Sequence, residues 1–386
     1  MKCLTKLAPA AFALSLFCSC SKNHSENLSA LENQTPEPHI YGVLPMQPDQ
    51  WSFVPEFSAQ IVLNNARENG LPVKTLPQSY LLASPLVRNQ GQIGSCTGFC
   101  GAETDEILYY YKTNSATSTG LTVSTGLSKA TMTQFVNAPL YGSSSALSPL
   151  FLYYVERCVV MKQPITSDGG AYMVAIPETF QGLTRNSGRG TALNLTVNGT
   201  NYTFGGDSYE NLYPYPSNGS HSSSQYTTPP AAAAISNAVN FKIGVQSGTT
   251  GSSGTTSHGY YVINSTDPVT DAKTAIAYNK PVMMGFNVYD NSSYQYFEGL
   301  STRSNKFIYN PLNADGSLVS GLKLLGGHAV PIIGYIDDAT QPGGGVFICE
   351  NSWGTSWGYN GYFYMPYSVL TNKTIVSSGS LYVAII

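Results

Sequence analysis

The sequence predicts both helices and buried strands, the two element types of an α+β fold. Apolar residues at helical spacing mark the N-terminal half, whereas short apolar runs typical of buried strands mark the C-terminal third. With 386 residues, of which 42% are hydrophobic, the chain is long enough to enclose a substantial core.

Three helices are predicted from apolar periodicity. The first covers residues 57–67, and Gly70 and Pro72 would end it. The second covers residues 97–111 and would present the residue before it, Cys96, at its first turn. The third covers residues 148–157, where a proline in the opening turn is compatible with a helix start.

Buried strands are predicted where four apolar runs occur, and a hairpin where apolar residues alternate around an Asn-Gly pair. The hairpin covers residues 193–204, because Asn-Gly favours the tight turn that joins two antiparallel strands. Two Ser/Gly/Thr-rich stretches, 217–225 and 248–258, are typical of flexible loops. The four strand candidates are residues 281–288, 329–335, 345–351 and 361–365.

The composition is that of an exported protein rather than a nucleic-acid-binding one. Only 11% of the residues are charged, whereas about 25% is typical of soluble domains. The surface must therefore consist largely of Ser, Thr, Asn, Gly and the 27 tyrosines. A net charge of −3 gives no reason to expect a nucleic-acid partner or an anionic membrane surface.

The N-terminus is typical of an export signal. Lys2 and Lys6 precede the apolar run 7–17, which is too short to span a bilayer. The run leads into Cys18 and Cys20, and Cys20 stands where a bacterial lipoprotein would be cleaved and lipidated. Two interpretations stay open: a lipid anchor at Cys20, or an ordinary cleaved signal with incidental cysteines. Either one predicts a bacterial protein outside the cell or at its surface or outer membrane, and no other stretch predicts a membrane span.

Three distant segments carry a candidate catalytic constellation. They read NQGQIGSCTGF around Cys96, GGHAV around His328 and ENSWGTSWGYNGY after Glu350. A cysteine, a histidine and an asparagine can supply a thiol nucleophile, its base and the group that orients the base. Together these segments resemble the papain family of cysteine proteases. The resemblance implies a two-lobed fold, with a helical left lobe, a β-barrel-like right lobe and the active-site cleft between them.

The resemblance also implies a role for each matching residue. Cys96 would be the nucleophile and His328 its proton acceptor and later donor. Asn351 would hold the imidazole, and Trp353 would shield that contact from water. Gln90 would donate its side-chain amide to the oxyanion of the tetrahedral intermediate.

Substrate-binding residues follow from the same resemblance. Residues 168–173 match the position of the family's glycine pair, here Gly169 and Gly170, whose backbone receives the substrate. The pocket for the side chain two residues before the scissile bond should be lined by five residues. The two glycines among them predict a roomy pocket, partly refilled by tyrosine, that suits a bulky apolar or aromatic side chain. These five are Ala171, Tyr172, Gly285, Gly326 and Ala329.

The chain departs from the family pattern in three ways. The cysteine usual before the nucleophile is missing, and so is its disulfide partner, since Ser167 stands at that place. Thr97 replaces the aromatic residue after the nucleophile, which should loosen packing there. The interval from Cys96 to His328 exceeds the family's roughly 130–150 residues by about 80–100 residues, so inserted loops are expected.

The expected organisation has three parts. Residues 1–20 are the export signal, residues 21–75 an extension or short pro-segment, and residues 76–386 the catalytic domain. The domain carries an inserted hairpin at about 187–210 and flexible loops at about 217–260. The hairpin is expected to border the non-primed side of the cleft and to narrow or occlude it.

The remaining cysteines leave their pairing open. Cys100 and Cys349 are expected either as neighbours behind the site, free or bridged, or as separate buried thiols, and Cys158 is unassigned. The histidines and cysteines lack metal-ligand spacing, so neither a metal nor a cofactor is expected.

The expected function is that of a monomeric endopeptidase acting on peptides or proteins. The alternatives are an aminopeptidase or other acyl-transfer enzyme on the same fold, or a surface binding protein with little activity.

Overall fold

The structure is a computed structural model, and it describes six stretches of the chain. These are residues 39–113 apart from 69, 71 and 74, then 146–184, 190–217 with 219, 227–244, 259–300 and 307–386. The predicted export signal, Cys20, the loop 248–258 and most of the loop 217–225 lie outside the described residues.

The helix that begins at Cys96 is the longest of the described helices. The predicted helices near residues 57–67, 97–111 and 148–157 are confirmed within a few residues of their bounds. The helices are α1 Pro48–Trp51, α2 Ala59–Glu68, α3 Cys96–Thr113, α4 Pro149–Tyr154, α5 Ala175–Gln181, α6 Ala232–Ala238, α7 Pro268–Ala277 and α8 Tyr367–Thr371.

Helices α3 and α4 pack closely because a glycine lies between them. A Cβ added at Gly98 would lie 2.3 Å from the carbonyl oxygen of Pro149, so only glycine permits this approach. Helix α4 begins where Ser148 Oγ accepts a hydrogen bond from the N–H of Phe151 at 3.0 Å. After Tyr154 the chain continues as a π-helix, Val155–Val160, so the predicted third helix changes its winding before it ends.

A seven-stranded antiparallel sheet is the largest sheet of the described residues. Strand β7 is its centre, paired with β6 on one side and β8 on the other, while the short β1 also pairs with β7. All four predicted buried strands are confirmed, as β6 to β9. The sheet consists of β1 Ser79–Leu81, β5 Gly259–Val262, β6 Val282–Asp290, β7 Lys323–Asp337, β8 Gly345–Glu350, β9 Tyr362–Pro366 and β10 Leu381–Ile385, with path order β5-β10-β6-β7-β8-β9.

The predicted hairpin is also confirmed, as a small sheet of β2 Leu183–Thr184, β3 Thr191–Val197 and β4 Thr200–Phe204. Its turn residues have positive φ angles, 50° at Asn198 and 78° at Gly199, as a tight two-residue turn requires. Leu193 and Phe204 anchor the hairpin in the core of the helical side. The recorded element contacts of β3 and β4 beyond their own sheet are with the π-helix and α6.

The molecule is therefore an α+β protein with the two-lobed papain-like arrangement, and Cys96 and His328 belong to different lobes. Cys96 begins α3 in the helical lobe, and His328 lies in β7 of the sheet lobe. Helix α3 packs directly on β7, which brings the two residues to the same region. No helix among the described residues is both long enough and apolar enough to cross a bilayer.

Candidate active site

Cys96 is fully buried at the first residue of α3. A helix N-terminus favours an anion because its backbone N–H groups point toward it. Burial nevertheless dominates and raises the pKa of the thiol to about 12, although the backbone groups of Ala329, Gly42 and Thr97 act in the opposite direction. In this conformation Cys96 is therefore a neutral thiol at neutral pH.

His328 is held by Asn351, as the resemblance implies. Its Nε2 and the Oδ1 of Asn351 are 2.7 Å apart, and both residues are fully buried. The other ring nitrogen, Nδ1, has no hydrogen-bond partner among the described residues, so it is not bonded to Cys96. Burial lowers the pKa of His328 to about 4, although the hydrogen bond with Asn351 opposes this, and the imidazole is neutral at pH 7.

Aromatic rings enclose the contact between His328 and Asn351. Trp353 lies over the imidazole with ring centroids 5.0 Å apart, and it is 2% exposed. Phe286 and Phe297 meet the imidazole edge-on, each at 5.8 Å. These rings keep water from the hydrogen bond and restrict the imidazole to one orientation.

Gln90 is held by both ends of its side-chain amide. Its Oε1 accepts a hydrogen bond from Ser352 Oγ at 2.6 Å, and this orients the Nε2 group. Nε2 donates to the carbonyl of Ile93 at 2.9 Å and to the carbonyl of Ile40 at 3.3 Å. The amide predicted to bind an oxyanion therefore already contacts a backbone carbonyl from the N-terminal segment.

That segment, residues 39–46, lies across the site; we refer to it as the cleft segment. Val43 donates its N–H to the carbonyl of Gly327 at 2.8 Å, directly before His328. Ala171 donates its N–H to Gly42 O at 2.7 Å and accepts a hydrogen bond from Leu44 N–H at 2.9 Å. The cleft segment is thereby bound to both lobes at once.

Gly169 and Gly170, whose backbone was expected to receive the substrate, make other contacts in the structure. The backbone groups that bind the cleft segment belong to Ala171, whereas Gly170 O accepts a hydrogen bond from Arg157 at 2.7 Å. Gly170 has a φ of 75°, and a Cβ there would lie 2.3 Å from Gly42 O. The glycine is needed because another backbone approaches it, while Gly169 lies beside the Arg157 guanidinium.

The predicted specificity pocket is smaller than expected, and one of its predicted walls faces elsewhere. A Cβ on Gly285 would lie 2.6 Å from Met173 Cγ, so Met173 occupies the space, not Tyr172. Gly285 and Ala329 are register partners in β6 and β7 and lie near Val43. Gly326 lies instead against Tyr41, because residues three apart in a strand face opposite sides.

Beyond His328, the carboxylate of Glu298 binds the beginning of the cleft segment. Its Oε1 accepts hydrogen bonds from His39 N–H at 3.0 Å and Tyr41 Oη at 2.5 Å, and its Oε2 lies 2.6 Å from His39 Nδ1. The His39 ring stacks on Trp353 with centroids 3.8 Å apart and planes 5° apart. Burial and then Glu298 raise the pKa of Tyr41, so its phenol stays protonated as a donor.

Thr97 has a role that the sequence did not indicate. Its Oγ1 donates a hydrogen bond of 2.5 Å to Oε2 of Glu156, a buried carboxyl in the π-helix. Burial raises the pKa of Glu156 to about 8, so it is mostly protonated at neutral pH. The hydroxyl at position 97 thus provides a partner that an aromatic ring would not, and packing at the helix start is not loosened.

The four cysteines among the described residues are all free. Cys100 and Cys349 belong to different hydrophobic clusters, which agrees with the alternative of separate buried thiols. Burial raises the pKa of both well above the ordinary value of a thiol. Cys158 is partly buried, and burial raises its pKa as well.

Sequence reasoning did not identify His39, Tyr41, Gly42 or Glu298 as site residues. The one signal for the cleft segment is its apolar character, since HIYGVL follows a polar stretch of the N-terminal extension. Glu298 carries no signal of its own. It lies in a loop that a buried aspartate, Asp290, organises by accepting N–H bonds from residues 291, 296, 297 and 298.

Comparison with known proteins agrees with the papain-like fold. The family described as papain family cysteine protease matches residues 200–383, which contain His328 and Asn351. Two curated relatives match shorter stretches. One is an uncharacterised peptidase C1-like protein of Acanthamoeba polyphaga mimivirus, 28% identical over 29% of this chain and 30% of its own length. The other is a cathepsin B-like cysteine proteinase of Caenorhabditis elegans, 35% identical over 27% of this chain and 22% of its own length.

The chain thus spans less than a third of the length of these two relatives. A solved structure covers far more: xylellain, a cysteine protease from Xylella fastidiosa, superposes with a TM-score of 0.57 over 90% of this chain and 97% of its own. Its sequence identity is 20%, so this likeness concerns the fold. In the matched family region and in the fold, the chain is thus similar to cysteine proteases of the papain family.

Proposed function

We propose that this protein is an exported cysteine endopeptidase in which Cys96, His328, Asn351 and Gln90 carry out the reaction. His328 takes the proton of Cys96, and the thiolate attacks the scissile carbonyl carbon. When the C–N bond breaks, His328 returns the proton to the leaving amine, and water then hydrolyses the thioester. The observation that carries the proposal is the bond from His328 Nε2 to Asn351, which leaves Nδ1 available for the nucleophile.

Gln90 would stabilise the oxyanion together with the backbone N–H of Cys96. Its Nε2 is held in place by Ser352 and already contacts a carbonyl oxygen, that of Ile40. A donor that is fixed before the reaction stabilises developing charge without reorganisation, and each such donor is worth about 3–4 kcal/mol.

Covalent labelling tests this proposal most directly. An epoxide-type thiol inhibitor is expected to modify the processed protein at one site, and Cys96→Ala is expected to abolish labelling and peptide hydrolysis together. Cys158→Ala serves as the matched control, because that thiol is also accessible in part. A processed, folded protein that neither labels nor hydrolyses peptides would favour the alternative of a surface binding protein.

We also propose that the cleft segment keeps the enzyme latent until it is removed. The backbone of Gly42 hydrogen-bonds the sulfur of Cys96, so the cleft segment lies directly against the proposed nucleophile. Cys96 and His328 are both fully buried under it, which favours the neutral thiol and imidazole over the ion pair. In this role the N-terminal extension is an inhibitory pro-segment.

The pocket beside Ala171, Gly285 and Ala329 is proposed to bind the substrate side chain two residues before the scissile bond. Val43 occupies this side of the cleft, and Met173 fills the space that Gly285 leaves. A branched aliphatic side chain therefore fits better than an aromatic one. A peptide library preferring aromatic or charged residues at this position would argue against the assignment.

Two further proposals rest on sequence alone. Export depends on residues 1–20, and a lipid anchor at Cys20 is tested by whether Cys20→Ala releases the protein from the cell envelope.

Deleting the hairpin 193–204 tests whether it limits the access of folded protein substrates to the cleft. An increased turnover of such substrates would support this proposal. An aminopeptidase instead of an endopeptidase would cleave only peptides with a free N-terminus.

A further inference from the structure

Glu298 is a buried carboxylate whose recorded partners come from the cleft segment. Its side chain is fully buried, and it accepts the backbone N–H of His39, the ring of His39 and the hydroxyl of Tyr41. Among the described residues, its recorded ion pair is the one with His39. If the cleft segment leaves, a carboxylate that has lost its hydrogen-bond donors faces the open cleft.

The position of Glu298 assigns it to the leaving-group half of the cleft. Val43 and Leu44 lie on one side of Cys96, beside Ala171 and Gly285, where the acyl half of a substrate is proposed to bind. His39 and Tyr41 lie on the other side, against Trp353 and His328. The residues after the scissile bond must then occupy the place of His39 and Tyr41, next to Glu298.

The loop that carries Glu298 is rigid enough to keep the carboxylate there. Asp290, fully buried at the end of β6, accepts N–H bonds from four residues of this loop at distances of 2.7–3.0 Å. One of these donors is the N–H of Glu298 itself. Trp353 supplies a flat aromatic surface beside the carboxylate, and the His39 ring already stacks on it.

We propose that Glu298 and Trp353 form a subsite that selects a basic side chain among the first two residues after the scissile bond. The proposal rests on the proposed peptidase function and adds its specificity. An arginine, lysine or histidine there can repeat what His39 does, donating to the carboxylate while its flat or aliphatic part lies on the indole. An acidic side chain would meet Glu298 with like charge in a poorly hydrated place and is rejected.

The test uses the full-length protein, activated and then titrated with the epoxide inhibitor to count competent sites. Three internally quenched peptides are compared, identical except for arginine, norleucine or glutamate at the two positions after the scissile bond. The wild-type enzyme is expected to favour arginine over norleucine by at least about tenfold in kcat/KM, with glutamate slowest. Glu298→Gln is expected to reduce the arginine-to-norleucine ratio to near one, because the amide keeps the shape and loses the charge.

Asp315→Asn is the matched control, since it removes an exposed carboxylate of another loop and should leave the ratio unchanged. A ratio near one in the wild type, or a preference that survives in Glu298→Gln, would refute the subsite while the peptidase function stands. Labelling of Cys96 without hydrolysis of any peptide would instead refute the peptidase function, and the subsite with it.

Discussion

The latency proposal makes a quantitative prediction at Gly42, where the cleft segment passes closest to the helical lobe. A Cβ at this position would lie 1.8 Å from the carbonyl oxygen of Gly94 and 2.5 Å from its carbon. Gly42 is not among the residues with positive φ, so alanine is excluded by contact alone and not by backbone strain. Gly42→Ala must therefore push the cleft segment away from the site by more than about 1 Å to restore ordinary contact distances.

A shift of that size breaks the three backbone hydrogen bonds that hold the segment, which are 2.7–2.9 Å long. Each contributes about 0.5–1.5 kcal/mol net, so the closed form loses about 3 kcal/mol. This corresponds to a roughly hundredfold larger open fraction. When opening precedes modification, the rate of labelling of Cys96 by the epoxide inhibitor rises by the same factor.

The assay compares labelling rates of the unprocessed full-length chain, wild type and Gly42→Ala, under conditions in which each remains folded. Gly244→Ala is the control, since a Cβ there meets no atom within 4 Å, and it should label at the wild-type rate. Equal labelling rates for Gly42→Ala and wild type, with matching melting curves, would contradict the conclusion that this segment blocks Cys96.

Three further predictions concern the site and its support. Gln90→Ala should lower kcat by a factor of about 10²–10³ with a small effect on KM, because the Gln90 amide acts mainly on the oxyanion. Steady-state peptide hydrolysis measures both constants, and a change confined to KM would contradict the proposed role of Gln90. Burial raises the pKa of Glu156 to about 8, so the folded protein retains a proton that the unfolded chain loses above about pH 4.5. The free energy of unfolding therefore falls as the pH rises from about 4.5 to about 8. The comparison uses two proteins that both carry Cys96→Ala, one with Glu156 and one with Glu156→Gln. Between pH 5 and 7.5, the free energy of unfolding measured with denaturant should fall by about 3 kcal/mol more in the protein with Glu156. Parallel pH curves for the two proteins would show that Glu156 is ionised. Arg88→Met should cost about 3–5 kcal/mol of unfolding free energy, because it leaves the buried Glu106 without the cation that lies 3.2 Å away; an unchanged midpoint would mean that this carboxyl is neutral.

Local patterns predicted the elements that carry the proposed catalytic residues because each pattern reflects contacts close in sequence. The strand around His328 is apolar on both sides because both of its faces are buried, and the turn at Asn198 and Gly199 needs the positive φ angles that these residues tolerate. The pairing of His328 with Asn351 agrees with what the family resemblance implies. The size of the specificity pocket was not predictable in this way, since Met173 fills the gap beside Gly285 from a distant part of the chain.

By itself, the sequence determined the principal strands through their local periodicity. Its motifs with fixed spacing determined the fold class and the residue types of the proposed reaction centre. Only the tertiary structure decided what lies over that centre. His39, Tyr41 and Gly42 precede Cys96 by more than 50 residues. They are held at the site by backbone hydrogen bonds to Gly327 and Ala171 and by hydrogen bonds to the Glu298 carboxylate. Such contacts leave no periodic mark on the sequence, because their partners are brought together by the packing of the two lobes.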